Sequence, residues 1–250
     1  MSLLAMRSAS FAYAQRTVVD DVSFAIEPGD AVGLVGESGA GKSTILALLL
    51  GLAVPSSGRV EFEGAPLERR DAAVMRRFRS SVQTVFQDPY SSLDPRQRVD
   101  RIVAEPLRSL GIARGDAAME KVREAVASVG LPDDVLTRYP HEFSGGQRQR
   151  IAIARATVCR PRVLLADEPV SALDVSTRIQ VIDVLRQLRE ENGLALLMVS
   201  HDLSTVAALC DRTIILRHGR VVERGATRQL LTSPSTEYAR ALINAVPRLP

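Results

Sequence analysis

The feature that most limits what this chain can fold into is a junction. The continuous apolar run Ala31–Val35 passes directly into the glycine-rich Gly36–Gly41, and a helical pattern starts at Lys42 and runs to about Leu52. A short unbroken apolar run reads as a strand buried on both faces, as in a parallel sheet. A glycine loop between such a strand and a helix lets backbone N–H groups wrap an anion at the helix N-terminus, where the peptide dipoles favour negative charge. Gly36, Glu37, Ser38, Gly39, Ala40, Gly41, Lys42 and Ser43, followed by Thr44, fit the phosphate-loop pattern. In it Lys42 is predicted to reach β- and γ-phosphates and Ser43 to bind Mg²⁺. The competing reading is a glycine turn that happens to precede a helix. Taken alone, the loop says only nucleotide.

The surrounding pattern predicts one domain with an inserted subdomain. Residues 1–30 alternate apolar and polar, as at Val22, Phe24 and Ile26, and Pro28-Gly29 supplies a turn, predicting an antiparallel β entry. Val163–Ala166 and Leu194–Val199 are two further continuous apolar strands, each ending at a polar cluster. Sites in parallel sheets form at such carboxyl ends. Between about Asp88 and Cys159 the spacing becomes helical. Ala117–Val129 forms a predicted amphipathic helix there, with breaks at Pro132, Pro140 and Gly145-Gly146. Two short β runs flank His218-Gly219 as a predicted hairpin within Thr213–Glu223, and the tail after Gly225 reads as helical with a Pro-rich end. The core is expected at about 1–87 and 158–225, the helical subdomain at 88–157 and a C-terminal tail at 226–250.

Composition excludes more than it assigns. Of 250 residues, 46% are hydrophobic and 24% charged, which rules out wholesale disorder. The formal charge of +3 is spread over arginine-rich stretches and permits nucleic-acid or membrane affinity without implying it. Arg76, Arg77 and Arg79 read as a solvated helix face. Cys159 and Cys210 are too far apart for a metal pair and too few for a disulfide framework. No basic-then-apolar leader opens the sequence, and the longest apolar run, Ile45–Val54, is shorter than the ~20 residues that span a bilayer. The chain is therefore expected in the cytosol, with membrane work done through partners.

Two more constellations carry chemistry. Val163–Ala166 delivers Asp167 and Glu168 to a strand end, where one carboxylate suits a metal and the next suits orientation of water. A buried strand ending in a solvated acidic turn is the bland alternative. Phe143-Ser144-Gly145-Gly146-Gln147-Arg148-Gln149-Arg150 places a hydroxyl and two glycines ahead of a helix, which physics alone reads as a helix cap. This last segment resembles the signature motif of ABC-transporter nucleotide-binding subunits, and that family's other marks follow in order along nearly the whole chain. The resemblance implies an α/β fold: a P-loop NTPase (RecA-like) core with an antiparallel β-subdomain and an inserted α-helical subdomain. It also implies ATP and Mg²⁺ as cofactors and ATP hydrolysis as the activity.

Residue by residue, the resemblance makes Tyr13 the aromatic that stacks on adenine, where an edge-strand packing role is the alternative. Gln87 becomes the glutamine at a strand end that contacts the metal and passes motion to membrane partners. Ser171-Ala172-Leu173-Asp174 matches the loop after the acidic pair, and His201 matches the switch histidine, with a capped core histidine as its alternative. Implied catalytic groups are Glu168, His201 and Lys42, and implied metal contacts are Ser43, Gln87 and Asp167. Ser144, Gly145, Gly146, Gln147 and Asp174 complete the nucleotide contacts. The family implies that Ser144–Gln147 serve the opposite subunit, so that two ATP molecules lie between two head-to-tail chains and one isolated subunit hydrolyses poorly.

Val85–Arg96, with Glu105-Pro106-Leu107, resembles more narrowly the peptide, nickel and metallophore uptake branch. That branch implies a second ATPase, as hetero- or homodimer, two transmembrane permeases, and indirectly an extracytoplasmic substrate-binding protein. It places the chain peripherally at the cytoplasmic face of the inner membrane. Ser233–Leu242 resembles the start of the branch's C-terminal extension, whose cysteine-bearing cluster site is not expected here. One rival is a non-transport ATPase of a carbon–phosphorus lyase-type complex. The other is a nucleic-acid-associated ABC protein, against which one short cassette with no basic arm argues, so no nucleic-acid partner is expected.

Overall fold

The computed structural model of the chain describes residues 1–14 and 16–244. Its strands are β1 Leu4–Tyr13, β2 Arg16–Ile26, β3 Ala31–Val35, β4 Ser57–Phe62, β5 Ala65–Pro66, β6 Val82–Val85, β7 Val163–Asp167, β8 Ala195–Ser200, β9 Arg212–Arg217 and β10 Arg220–Ala226. The α-helices are α1 Lys42–Leu49, α2 Ala72–Ser81, α3 Pro89–Ser92, α4 Val99–Ser109, α5 Gly115–Ser128, α6 Gly145–Thr157, α7 Val175–Asn192, α8 Leu203–Leu209, α9 Thr227–Thr232 and α10 Glu237–Asn244. They group into two compact units, one of Met1–Val74 with Ala195–Pro250 and one of Met75–Leu194. The second unit is wider than the helical insert expected at 88–157, because it also takes in β6, β7 and α7.

In the first unit β2-β1-β4-β5 form an antiparallel sheet, as the alternation over the first thirty residues predicts. The strands β10-β9-β3-β8 lie side by side, with β3 parallel to both β8 and β9. Every residue of β3 and β8 is buried, which explains why both read as unbroken apolar runs. α1 ends at Leu49 and not at Leu52, because Gly51 takes a left-handed φ of 66° that closes the helix. His218 and Gly219 both have positive φ, which gives the predicted β9–β10 hairpin the turn that matches strand twist. The tail is helical at α9 and α10, and its Pro-rich end at 245–250 lies outside the described residues.

In the second unit β6 and β7 pair in parallel, Val82 opposite Val163 through Val85 opposite Ala166. Helices α3 to α6 follow β6, with the predicted 117–129 helix present as α5. Buried Leu107, Val122, Val126, Ile151 and Ile153 bring α4, α5 and α6 together. Helix α7, to which the sequence reading gives no element, starts at an Asp174 cap and stops at the left-handed Gly193.

Candidate functional site

The first unit builds a loop that is shaped for phosphate. Val35 at the end of β3 pairs with Ser200 at the end of β8, so Gly36 and His201 leave adjacent parallel strands at the same level. Gly41 has φ 105°, and a Cβ there would lie 2.8 Å from the Val18 carbonyl oxygen, so no other residue fits this backbone against β2. Helix α1 begins at Gly41 with no capping side chain and no acidic residue in its first turn, which leaves its positive end for an incoming anion. Lys42 is buried, and its ammonium donates to the carbonyls of Gly36 at 2.6 Å and Glu37 at 2.9 Å. Those carbonyls offset the cost of burying the charge and hold the amine folded over the loop. Ser43 is exposed and Thr44 buried beside it. His201 is exposed at the head of the turn into α8. Tyr13, at the end of β1, is 59% exposed and meets Phe11 edge-on at 4.8 Å, so it both packs on its own sheet and offers an open ring face.

The second unit carries the acidic turn and the signature segment. Gln87 and Glu168 each lie two residues beyond a paired position of β6 and β7, Val85 and Ala166, and Gln87 Nε2 donates to Glu168 Oε2 at 3.1 Å. Glu168 adopts a left-handed φ of 44°, which costs a non-glycine residue about 1–2 kcal/mol. The turn is fixed by Ser171, whose N–H and hydroxyl both donate to the Glu168 carbonyl, at 3.2 and 3.1 Å. Such strain concentrates at working residues. No pattern of residue types signals it, so the sequence reading misses it. Asp167, the last residue of β7, is half-buried beside it.

Ser144 is the N-cap of α6 in a reciprocal box: its Oγ accepts from Gln147 N–H at 3.3 Å, and Gln147 Oε1 accepts from Ser144 N–H at 3.0 Å. The cap that physics alone predicts is thus present, and it uses only the acceptor side of the hydroxyl, leaving the Ser144 O–H as a donor. Gly146 is required by close packing, since a Cβ there would fall 1.8 Å from Thr177 Cγ2 on α7. Asp174 caps α7: its carboxylate accepts from the Ser176 hydroxyl at 2.6 Å, Thr177 N–H at 3.0 Å and the Thr177 hydroxyl at 2.7 Å. These donors, the Ser176 hydroxyl foremost, hold its carboxyl well below the usual carboxylate range.

With that geometry in view, comparison with known proteins is decisive. The family model described as ABC transporter matches residues 19–171, from β2 through the acidic turn. The chain belongs to the ABC transporter family. As an ABC ATPase it binds and hydrolyses ATP, on a P-loop NTPase fold. It is 46% identical over 249 residues to a putative peptide import ATP-binding protein of Brucella ovis, covering 98% of this chain and 78% of that one. It is 45% identical over 244 residues to the glutathione import ATP-binding protein GsiA of Salmonella typhi, covering 97% of this chain but only 39% of that longer one. Among solved structures, cbiO1 from Clostridium perfringens, part of the ABC transporter complex cbiONQ, superposes with a TM-score of 0.84 at 26% identity, over 99% of this chain and 96% of that one. A dimeric ATP-binding cassette in a post-hydrolysis state, bound to ADP and Pi, superposes with a TM-score of 0.78 at 28% identity, over 90% and 99% of the two chains. Cassettes of this family work as dimers with transmembrane permease partners. No helix among the described residues of this ABC ATPase is long and apolar enough to cross a membrane.

Proposed function

We propose that this ABC ATPase powers an importer that takes up peptides or a related small solute, with nickel and metallophores as further cargoes of the same branch. The observation that carries the reading is the 46% identity along 98% of the chain to a protein named for peptide import. The import names among the relatives favour it over a carbon–phosphorus lyase-type ATPase. The chain works at the cytoplasmic face of the membrane, paired with a second ATPase, as hetero- or homodimer, and docked on two permeases. Substrate reaches the permeases from an external binding protein and does not contact this chain.

Within the proposal Lys42 leaves the Gly36 and Glu37 carbonyls for the β- and γ-phosphates, and the N–H groups from Gly39 to Thr44 surround them. Tyr13 offers its open face to adenine and His201 its ring to the γ-phosphate. Glu168, held by Gln87, orients the attacking water. Phosphoryl transfer calls for such positioning and charge neutralisation more than for covalent chemistry. The cation would be held by the Ser43 hydroxyl, the Asp167 carboxylate and the Gln87 amide oxygen. These are hard oxygen donors of the kind Mg²⁺ takes, and few protein ligands are required because phosphate and water complete its shell. When bound, Mg²⁺ neutralises charge on the phosphates. The Ser144 hydroxyl, Gly145, Gly146 and Gln147 act on the ATP of the opposite subunit, with Asp174 on the loop beside them. Affinity purification of the tagged chain from gently solubilised membranes tests the assignment. Two permeases and a second ATPase are the expected companions, and lyase subunits or no membrane protein would overturn the transport reading.

A further inference from the structure

We propose that Tyr238, on the C-terminal helix α10, is a positioning residue for the phosphate loop: its hydroxyl holds the loop's first turn in place while Lys42 changes partners. The inference rests on the reading that the Gly36–Thr44 loop binds the ATP phosphates.

Glu37 is the second residue of that loop, and its backbone is gripped from two sides. Its carbonyl receives the Lys42 ammonium at 2.9 Å and Ala40 N–H at 3.1 Å. Its N–H donates to Tyr238 Oη at 3.4 Å, across 201 residues of sequence. When Lys42 turns to a phosphate, the carbonyls of Gly36 and Glu37 lose their charged donor together. The Tyr238 contact involves neither the amine nor the N–H groups at the start of α1, so it survives the exchange.

Tyr238 is itself well fixed. The Arg217 guanidinium, at the end of β9, lies 4.7 Å from the centre of its ring. The chain ahead of α10 is tied to β10 by the Glu223 carboxylate, which accepts from Ser235 N–H at 2.8 Å, Thr236 N–H at 2.9 Å and the Thr236 hydroxyl at 2.7 Å. Thr236 Oγ1 in turn accepts Ala239 N–H at 3.2 Å, and Ala239 is fully buried. The same C-terminal region holds the loop at a second point, where Gly219 N–H in the β9–β10 turn donates to the Ala40 carbonyl at 2.9 Å.

The test is the dissociation constant of mant-ATP, measured together with the melting temperature, on the full chain and on Tyr238→Phe, Arg217→Met and Lys42→Ala. Tyr238→Phe removes the hydroxyl and keeps the ring under Arg217. It is expected to weaken mant-ATP binding about 2- to 10-fold, the reach of one neutral hydrogen bond, with an unchanged melting temperature. Arg217→Met, which loosens the ring, is expected to shift binding in the same direction by less, and it carries the test if Tyr238→Phe does not fold. Wild-type affinity in Tyr238→Phe, or weakening only in step with a fall in melting temperature, overturns the inference while loss of binding in Lys42→Ala leaves the loop assignment standing. Wild-type affinity in Lys42→Ala overturns both.

Discussion

Two helix N-termini in this molecule are built in opposite ways. α1 starts at Gly41 without a capping side chain, its approach held by a buried lysine folded over carbonyls. α6 starts at Ser144 inside a complete capping box, and α7 beside it is capped by Asp174 with three donors on one carboxylate. Capping is the default solution for the unpaired N–H groups of a helix start. Side-chain caps are also absent at α4, α5 and α9, so what sets α1 apart is the glycine loop and the buried Lys42 ahead of it, whereas the box at α6 makes an end that is stable before any ligand arrives. Under the proposed function the phosphate loop is a binding element, while the acidic turn and the signature segment would act on turnover and on the partner's nucleotide.

That division separates sharply under mutation. The largest expected effect is Glu168→Gln: loss of the water-orienting carboxylate lowers ATP turnover on the order of 10²–10⁴-fold with ATP affinity retained, checked by phosphate release against mant-ATP titration. Turnover at the normal rate contradicts the role of Glu168. Next is Lys42→Ala, expected to weaken nucleotide binding about 10- to 100-fold, the scale of a charge-assisted hydrogen bond. Gly146→Ala strikes α6 without touching the loop. The new methyl meets Thr177, whose rotamer is fixed by its hydroxyl bond to Asp174, so the variant is expected to lose about 1–3 kcal/mol of stability in urea unfolding. An unaltered midpoint means that α6 and α7 separate more easily than the contact implies.

The smallest effect is the pH dependence of the Asp174 cap. Because the folded carboxyl titrates below the ordinary aspartate value of 3.8, its contribution is present above that pH and is lost as pH falls through the folded value. Asp174→Asn keeps a capping residue at neutral pH but removes the titration. Its melting temperature is expected to match wild type near neutrality and to decline less steeply below about pH 4, whereas parallel acid limbs would mean that Asp174 is not ionised in the cap.

How much of this was legible in the sequence follows from how local each feature is. Gly36–Ser43 and the run into Asp167-Glu168 announce themselves because strand, loop and helix are contiguous and the residue types are those the backbone demands. The Ser144 cap is legible for the same reason, with Gln147 three residues on. The left-handed Glu168 is not, since glutamate carries no preference for positive φ and the turn is imposed by Ser171. Helix α7 escapes because its apolar face is narrow, with Val181, Ile182, Leu185 and Leu188 as its buried residues. Tyr238 is illegible in principle: its partner on the loop is distant in sequence and is a backbone N–H, which leaves no residue-type signal.

The most direct test of the division is the mass of the particle formed by Glu168→Gln with and without MgATP, read by mass photometry, alone and combined with Ser144→Ala. The account predicts a single chain without nucleotide, a two-chain particle with MgATP, and a return to the single chain in the double variant, although that variant still binds ATP. A two-chain particle that forms equally well without Ser144 would contradict it.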